Sequence, residues 1–261
     1  MVNVPVESVT DLKICSTATI GVLETTETDM QTLFKTWLPG ALDFTKLCGL
    51  WAAKGFKPLL ALLMVGALAL PAQAAAKDTI LIVGDSLSAE YGLKRGTGWV
   101  ALLEKQLATD KQTAKVVNAS ISGDTTSGGR SRLATLLKTH KPTIVVIELG
   151  GNDALRGLPL DMTENNLTAM TQAAKKADAK VLLLGMQVPP NYGSAYGARF
   201  AALFAQVAKA EKVALVPFFL AGVADVPDAG SQFQADRIHP NAQAQAKMLA
   251  NVWPALKKLL P

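Results

Sequence analysis

The 261-residue chain is poor in the residues that build disulfides and metal sites. It contains two cysteines, Cys15 and Cys48, and two histidines, His140 and His239. Two cysteines are too few for a disulfide scaffold, which needs several bridges in a small domain. Two histidines without an H-E-x-x-H motif or a cysteine cluster are a poor ligand set for a metal ion. We therefore predict that the protein holds no metal and needs no cofactor.

Charged residues are also scarce, because they make up 18% of the chain against about 25% in soluble domains. The hydrophobic fraction is 49%, which excludes a disordered chain, since disorder requires few apolar residues and much charge. The 26 basic and 21 acidic side chains give a net charge of +5, but the basic residues are scattered along the sequence. Without a basic stripe or a recognition motif, we predict no nucleic-acid partner.

Much of the apolar excess lies in one segment. Two lysines precede an apolar run over 58–70 (PLLALLMVGALAL), and a proline and an Ala-Gln-Ala triplet ending at Ala74 follow it. This is the order of a secretory signal peptide, and the run is too short to cross a hydrocarbon core of about 30 Å. We predict a signal peptide over 54–74, cleaved after Ala74, in a periplasmic or secreted bacterial protein. A membrane anchor is the alternative, which Pro71 disfavours.

Residues 1–53 carry no motif and no sustained periodicity, and they form an unassigned extension. Because a signal peptide starts close to its initiator, we predict that the assigned start lies too early and that Met30 is one possible internal start. Both cysteines precede the predicted cleavage site. The remaining domain, 75–261, is therefore free of cysteine, and we expect it to be a monomer without stable membrane insertion.

Short apolar runs alternate with amphipathic stretches after Lys77. The runs are continuous rather than alternating, which is typical of strands buried on both faces. Strands are predicted over 79–83, 115–117, 143–149, 181–185 and 213–216, and helices near 99–107, 130–139, 162–177, 198–210 and 242–259. This alternation predicts one α/β domain, a three-layer α/β/α sandwich with a parallel five-stranded sheet.

Ligands of such sheets bind beyond the carboxyl ends of the strands, and three short blocks follow predicted strands directly. They are Gly84–Ser88 (GDSLS), Asn118–Thr125 (NASISGDT) and Gly150–Asp153 (GGND), and a fourth block, Asp236–Pro240 (DRIHP), precedes the last helix. Each block alone is as well explained by a turn or a helix cap. Together they contain every group that acyl transfer by a serine requires.

The predicted catalytic residues are Ser86, Asp236 and His239. Ser86 would attack, His239 would take its proton, and Asp236, three residues before His239, would orient the imidazole. The backbone N–H groups of Ser86 and Gly123 and the carboxamide of Asn152 would form the oxyanion hole. His140 is instead expected at a helix end.

These blocks resemble the motifs of the SGNH, or GDSL, hydrolase superfamily, and the resemblance covers residues 78–260. It is closer to a bacterial branch of secreted acyl-CoA thioesterases, arylesterases and lysophospholipases, on the stretches GDSLSA-Y, SISGDT, GGND, QVPPNYG and D-x-IHPN. The resemblance implies a flavodoxin-like fold and a serine ester hydrolase of lysophospholipids, aryl or short-to-medium-chain esters and acyl thioesters. It also implies that Pro190, Asn191 and Tyr192 border an acyl-binding groove.

Other functions remain as alternatives. A carbohydrate O-acetyl esterase of the same superfamily is the nearest, and a non-catalytic lipid- or glycan-binding protein on this scaffold is another. An α/β-hydrolase of the nucleophile-elbow type is disfavoured because no G-x-S-x-G pentapeptide occurs. A dinucleotide-binding fold is disfavoured because no G-x-G-x-x-G follows the first strand.

Overall fold

The protein is represented by a computed structural model that describes residues 78–261. The predicted N-terminal extension and signal peptide lie outside these residues, and so does the predicted cleavage site. No helix in the range 78–261 has both the length and the apolar character needed to cross a membrane.

Five parallel strands form one sheet in the order β2-β1-β3-β4-β5. This is the flavodoxin-like order of a doubly wound sheet. The predicted fold class, a three-layer sandwich with a parallel five-stranded sheet, is confirmed. The strands are β1 Thr79–Gly84, β2 Lys115–Asn118, β3 Ile144–Glu148, β4 Lys180–Leu184 and β5 Ala214–Val216.

The three central strands are buried almost throughout, whereas β2 and β5 at the sheet edges are partly exposed. Helices on both sides cover the central strands, which explains why their sequences are continuously apolar. Helices α1 and α6 pack against each other, and α4 packs against both α2 and α5. The helices are α1 Trp99–Thr109, α2 Thr126–His140, α3 Gly151–Leu155, α4 Leu160–Lys176, α5 Ser194–Glu211 and α6 Gln245–Lys257.

The starts of helices α2, α4, α5 and α6 differ from the prediction, and helix α3 was not predicted. Helix α2 begins at Thr126 rather than at Arg130, because the side chain of Thr125 accepts a hydrogen bond from the Gly128 N–H and caps the first turn. The first turn contains two glycines, and because glycine has a low helix propensity, the sequence did not indicate a helix there. The GGND block, for which a turn was the alternative explanation, enters the short helix α3.

The strand order reverses around β1, since β2 lies on one side of it and β3 on the other. In open α/β sheets such a switch point leaves a crevice outside the carboxyl ends of the two strands. Ser86 follows β1 and Asn152 follows β3. The topology therefore places two of the predicted site residues at this crevice.

Candidate active site

Ser86 lies in a tight turn directly after β1. The carbonyl of Asp85 accepts the Ala89 N–H at 2.9 Å, and its carboxylate accepts the Leu87 N–H at 3.0 Å. Ser86 itself is half-buried, and its backbone N–H donates to no acceptor within residues 78–261. We call residues 85–91 the nucleophile turn.

The structure brings His239 and Asp236 to this serine. His239 Nε2 lies 2.9 Å from Ser86 Oγ, and His239 Nδ1 lies 2.7 Å from Asp236 Oδ2. The second carboxylate oxygen of Asp236 accepts the backbone N–H groups of Ile238 at 2.9 Å and of His239 at 3.0 Å. These bonds fold the DRIH segment back on itself, so that one short loop presents both side chains.

The same hydrogen bonds stabilise the ionised form of Asp236. The backbone N–H groups of His239 and Ile238, followed by the His239 side chain, lower the pKa of Asp236 to about 2. Asp236 is therefore ionised at neutral pH and accepts a hydrogen bond from the Nδ1–H of His239. Nε2 is then left as the acceptor that faces the Ser86 hydroxyl.

Tyr91 is a residue at this site to which the sequence reasoning gave no role. Its ring lies 4.3 Å from the His239 ring, centroid to centroid, with a tilt of 37°. Gln234 Nε2 donates a hydrogen bond to the Tyr91 carbonyl at 2.9 Å. This bond joins the nucleophile turn to residues 234–241, which we call the histidine loop. The sequence feature that could have indicated a role for Tyr91 is its position two residues after the stretch GDSLSA.

Gly123 adopts a backbone conformation that favours glycine, with φ of +78°. Its N–H donates to no acceptor in the described part of the chain, and its carbonyl accepts a 2.7 Å hydrogen bond from Arg156 Nη2. A side chain at this position would strain the backbone. The turn thus leaves a peptide N–H free beside the site.

The carboxamide of Asn152 joins the first and second blocks. Its Nδ2 donates to Asp85 Oδ2 and to the Asp124 carbonyl, each at 2.9 Å. Asp85 precedes Ser86 and Asp124 follows Gly123, so all three predicted oxyanion donors lie on neighbouring segments. Both hydrogens of Nδ2 already have acceptors, so an oxyanion bound by this carboxamide would share a hydrogen with one of them.

Two acids are buried here, Asp85 within the nucleophile turn and Glu148 beneath it, and the sequence predicted a catalytic role for neither. Burial is the main cause that raises the pKa of Asp85 to about 6, against the lowering effect of the Leu87 N–H. Burial, and then the charge of Asp85, raise the pKa of Glu148 well above its usual value. The signal for Glu148 was a single acid at the end of the apolar run TIVVIEL.

The predicted substrate-binding residues Pro190, Asn191 and Tyr192 form a 3₁₀ turn before α5. The Tyr192 ring lies 6.1 Å from the Tyr196 ring, and the turn contacts α5. No hydrogen bond within residues 78–261 joins this turn to Ser86, Asp236 or His239. A role in a groove stays a prediction.

Comparison with known proteins places this geometry in a family. The model of the GDSL-like Lipase/Acylhydrolase family matches residues 82–247, a range that contains all four blocks. The chain is 54% identical over 202 residues to Esterase TesA of Pseudomonas aeruginosa. This match covers 77% of the present chain and 99% of the relative. It is 47% identical over 175 residues to thioesterase 1/protease 1/lysophospholipase L1 of Escherichia coli strain K12. That match covers 66% of the present chain and 80% of the relative.

The solved structures agree with the sequence comparison. A crystal structure of TesA superposes with a TM-score of 0.68 at 55% sequence identity, and it covers 70% of this chain and 100% of that one. The family match, the identity to curated esterases and the shared fold lead to one conclusion. The chain belongs to the GDSL-like lipase/acylhydrolase family, a family of ester hydrolases.

Proposed function

We propose that the protein hydrolyses carboxylic esters and thioesters of acyl groups, with Ser86 as nucleophile, His239 as general base and Asp236 as the orienting acid. The observation that carries this proposal is the continuous hydrogen-bond chain from Ser86 Oγ through the imidazole to Asp236, with links of 2.9 and 2.7 Å. A nucleophile, its base and the group that orients the base are the parts of a hydrolytic triad.

In the first half-reaction Ser86 Oγ attacks the acyl carbon while its proton passes to His239 Nε2. Asp236 stabilises the imidazolium that forms, and the imidazolium then protonates the leaving alcohol or thiol. Water, activated by the same imidazole, attacks the acyl-enzyme and restores the Ser86 hydroxyl. The N–H groups of Ser86 and Gly123, with Asn152 Nδ2, stabilise the oxyanion in both steps.

An apolar rim supports an acyl group as the substrate class. In the described part of the chain, the exposed large hydrophobic side chains are Tyr91, Ile121, Leu155 and Ile238. Tyr91 contacts His239, Ile121 lies two residues before Gly123, Leu155 lies on the helix of Asn152, and Ile238 adjoins His239. Exposed apolar side chains that lie together commonly mark a binding site for an apolar ligand. Here they lie on the segments that carry the candidate catalytic residues.

The relatives favour the same substrates. The proteins matched are named an esterase and a thioesterase, protease and lysophospholipase. We therefore propose that lysophospholipids, aryl esters and acyl thioesters are hydrolysed by this chain. All groups of the hydrogen-bond chain come from one polypeptide, and the proposal requires no second copy of it.

A substrate panel tests the class of substrate. The wild-type domain and Ser86→Ala are assayed with p-nitrophenyl esters of increasing chain length, an acyl-CoA, a lysophospholipid and an acetylated sugar. We expect hydrolysis of the acyl esters and the lysophospholipid, all lost in the variant. Turnover confined to the acetylated sugar would instead establish the carbohydrate O-acetyl esterase, and binding without turnover would establish a non-catalytic protein.

Asn152→Ala is expected to lower kcat by about 10²-fold or more with a smaller change in KM, because an oxyanion donor acts on the transition state rather than on the bound ester. Steady-state kinetics with a p-nitrophenyl ester measure both constants. Asn165→Ala, at an exposed asparagine of helix α4, is the matched control and should leave them unchanged. An unchanged kcat in Asn152→Ala would remove this carboxamide from the oxyanion hole.

We also propose export, with cleavage of the signal peptide after Ala74. The 202-residue match to the Pseudomonas aeruginosa esterase is longer than the described range 78–261, so it includes residues that precede Asp78. This supports a leader shared with that relative. N-terminal sequencing of the exported protein should begin at Ala75, whereas a mature chain that begins near Met1 would contradict the proposal.

A further inference from the structure

Glu148 is a completely buried acid that takes no part in the steps above. It is the last residue of β3, and its side chain points under the nucleophile turn. Glu148 Oε2 accepts the backbone N–H of Asp85 at 3.2 Å and the Ser88 hydroxyl at 2.7 Å. The two donors lie one residue before and two residues after Ser86. A single oxygen atom thus fixes both sides of the nucleophile.

We call the two hydrogen bonds that Glu148 Oε2 accepts the anchor. Further hydrogen bonds connect this anchor to the interior of the protein. Ser88 Oγ accepts the indole N–H of Trp99 at 3.1 Å, so the single hydroxyl proton of Ser88 is the one directed at Glu148. The backbone N–H of Trp99 donates to Gln245 Oε1 at 3.0 Å, and Gln245 Nε2 donates to the Asn241 carbonyl at 3.1 Å. Asn241 lies two residues after His239. The chain of bonds therefore joins β3 and the nucleophile turn to the histidine loop.

The space around this anchor explains two letters of the GDSLS block. A Cβ atom at Gly84 would lie 2.8 Å from Glu148 Oε2, 2.8 Å from Ser88 Oγ and 2.9 Å from Ser120 Oγ. Those distances are too short for non-bonded atoms, so a side chain at residue 84 would displace Glu148 Oε2 and Ser88 Oγ from this arrangement. Ser88 supplies the hydroxyl that Glu148 binds. The first and last residues of the block therefore serve the anchor rather than the chemistry.

The surroundings of Glu148 favour its neutral form. No lysine, arginine or histidine forms an ion pair with it in the part of the chain that the structure describes. The titratable group that faces it is Asp85, another acid, which would repel a second negative charge. Glu148 Oε1 is buried without a hydrogen-bond partner. A charged oxygen there would be costly, whereas a protonated one is far less so.

We propose that Glu148 is a positioning residue of this enzyme: as a neutral carboxylic acid it holds the Asp85 N–H and the Ser88 hydroxyl, and so fixes Ser86 in line with His239. The inference rests on the proposed role of Ser86. It predicts that an uncharged side chain of the same shape preserves catalysis, and that loss of the acceptor oxygen lowers kcat while KM is retained.

Glu148→Gln and Glu148→Leu test the inference. The carboxamide oxygen that Glu148→Gln introduces can accept both bonds without a charge, so this variant should keep kcat within about threefold of wild type. Glu148→Leu removes the acceptor and should lower kcat by about 10- to 100-fold, as displaced nucleophiles do. Both constants are measured with p-nitrophenyl butyrate, and kcat is the maximal velocity divided by the concentration of folded protein. Thr171→Val, which removes a buried hydroxyl without a partner on helix α4, is the control and should leave kcat unchanged.

Ser88→Ala keeps the inference testable if Glu148→Leu does not fold. It removes the hydroxyl that donates to Glu148 and should lower kcat several-fold while KM is retained. A Glu148→Gln variant as impaired as Glu148→Leu would overturn the neutral form. Normal kcat in Glu148→Leu, or normal kcat in Ser88→Ala where Glu148→Leu does not fold, would overturn the positioning role. Ser86→Ala is assayed beside them, because activity retained there refutes the proposed function itself.

Discussion

Replacing Ser86 by alanine is expected to lower kcat/KM for a p-nitrophenyl ester by about three orders of magnitude or more. The reason is that no acyl-enzyme can form, while the oxyanion donors and the surrounding turn remain. The residual rate comes from those donors alone. The change removes one oxygen atom at a half-buried position, so the thermal unfolding midpoint should stay close to that of the wild type.

Ser131→Ala is the matched control for this variant. Ser131 is an exposed serine of helix α2, and its hydroxyl donates only to the Gly128 carbonyl of the same helix, at 2.7 Å. It should leave kcat/KM unchanged. Comparable losses in the two variants, or retained turnover in Ser86→Ala, would refute the assignment of the nucleophile.

His239→Gln should be nearly as damaging, with kcat/KM lowered by about 10³-fold or more, since the serine then has no general base. Glutamine can still fill the space between Ser86 and Asp236, so the loss reports the missing base rather than a cavity. Steady-state kinetics at neutral pH measure it. Combining the variant with Ser86→Ala should cost little more than either change alone, because the two groups act as a unit.

The chain offers a matched control at its second histidine. His140 is the last residue of helix α2, and among residues 78–261 no hydrogen bond joins its side chain to Ser86, Asp236 or His239. His140→Gln should retain wild-type kinetics. If His140→Gln lost activity as His239→Gln does, the loss would reflect the general effect of removing a histidine, and the role of His239 as base would fail.

The fold could be predicted because its sheet is parallel and covered on both faces. The apolar runs that became β1, β3 and β4 are continuous, and amphipathic stretches of helical length separate them. Helix α3 was not predicted, since its glycine-rich start is equally typical of a turn. The start of α2 at Thr126 depends on a capping hydrogen bond, and helix propensity does not report such a bond.

The catalytic candidates could be predicted because four short blocks, three after predicted strands and one before the last helix, together supply the groups that acyl transfer requires. Ser86, Asp236 and His239 converge in the structure although 153 positions separate the serine from the histidine. The supporting groups could not be predicted in the same way. Tyr91 and Glu148 act through packing and hydrogen bonds to atoms far away in sequence, and neither belongs to a residue type that signals catalysis when it stands alone.

The Asn152 carboxamide illustrates the limit of motif reasoning. Its motif predicts a donor at the crevice, and the structure places it there between Asp85 and Asp124. Only the coordinates show that both of its hydrogens have acceptors already. In the proposed mechanism the oxyanion therefore competes with one of these two acceptors for a hydrogen of Nδ2.

Trapping of the acyl-enzyme tests the central claim most directly. The domain is mixed with excess p-nitrophenyl ester, quenched in acid and digested, and mass spectrometry locates the acyl group among the peptides. We expect one acyl group per chain, carried by Ser86, preceded by a burst of p-nitrophenol and absent from Ser86→Ala. An acyl group on another residue such as Ser88, or hydrolysis with no covalent intermediate, would contradict it.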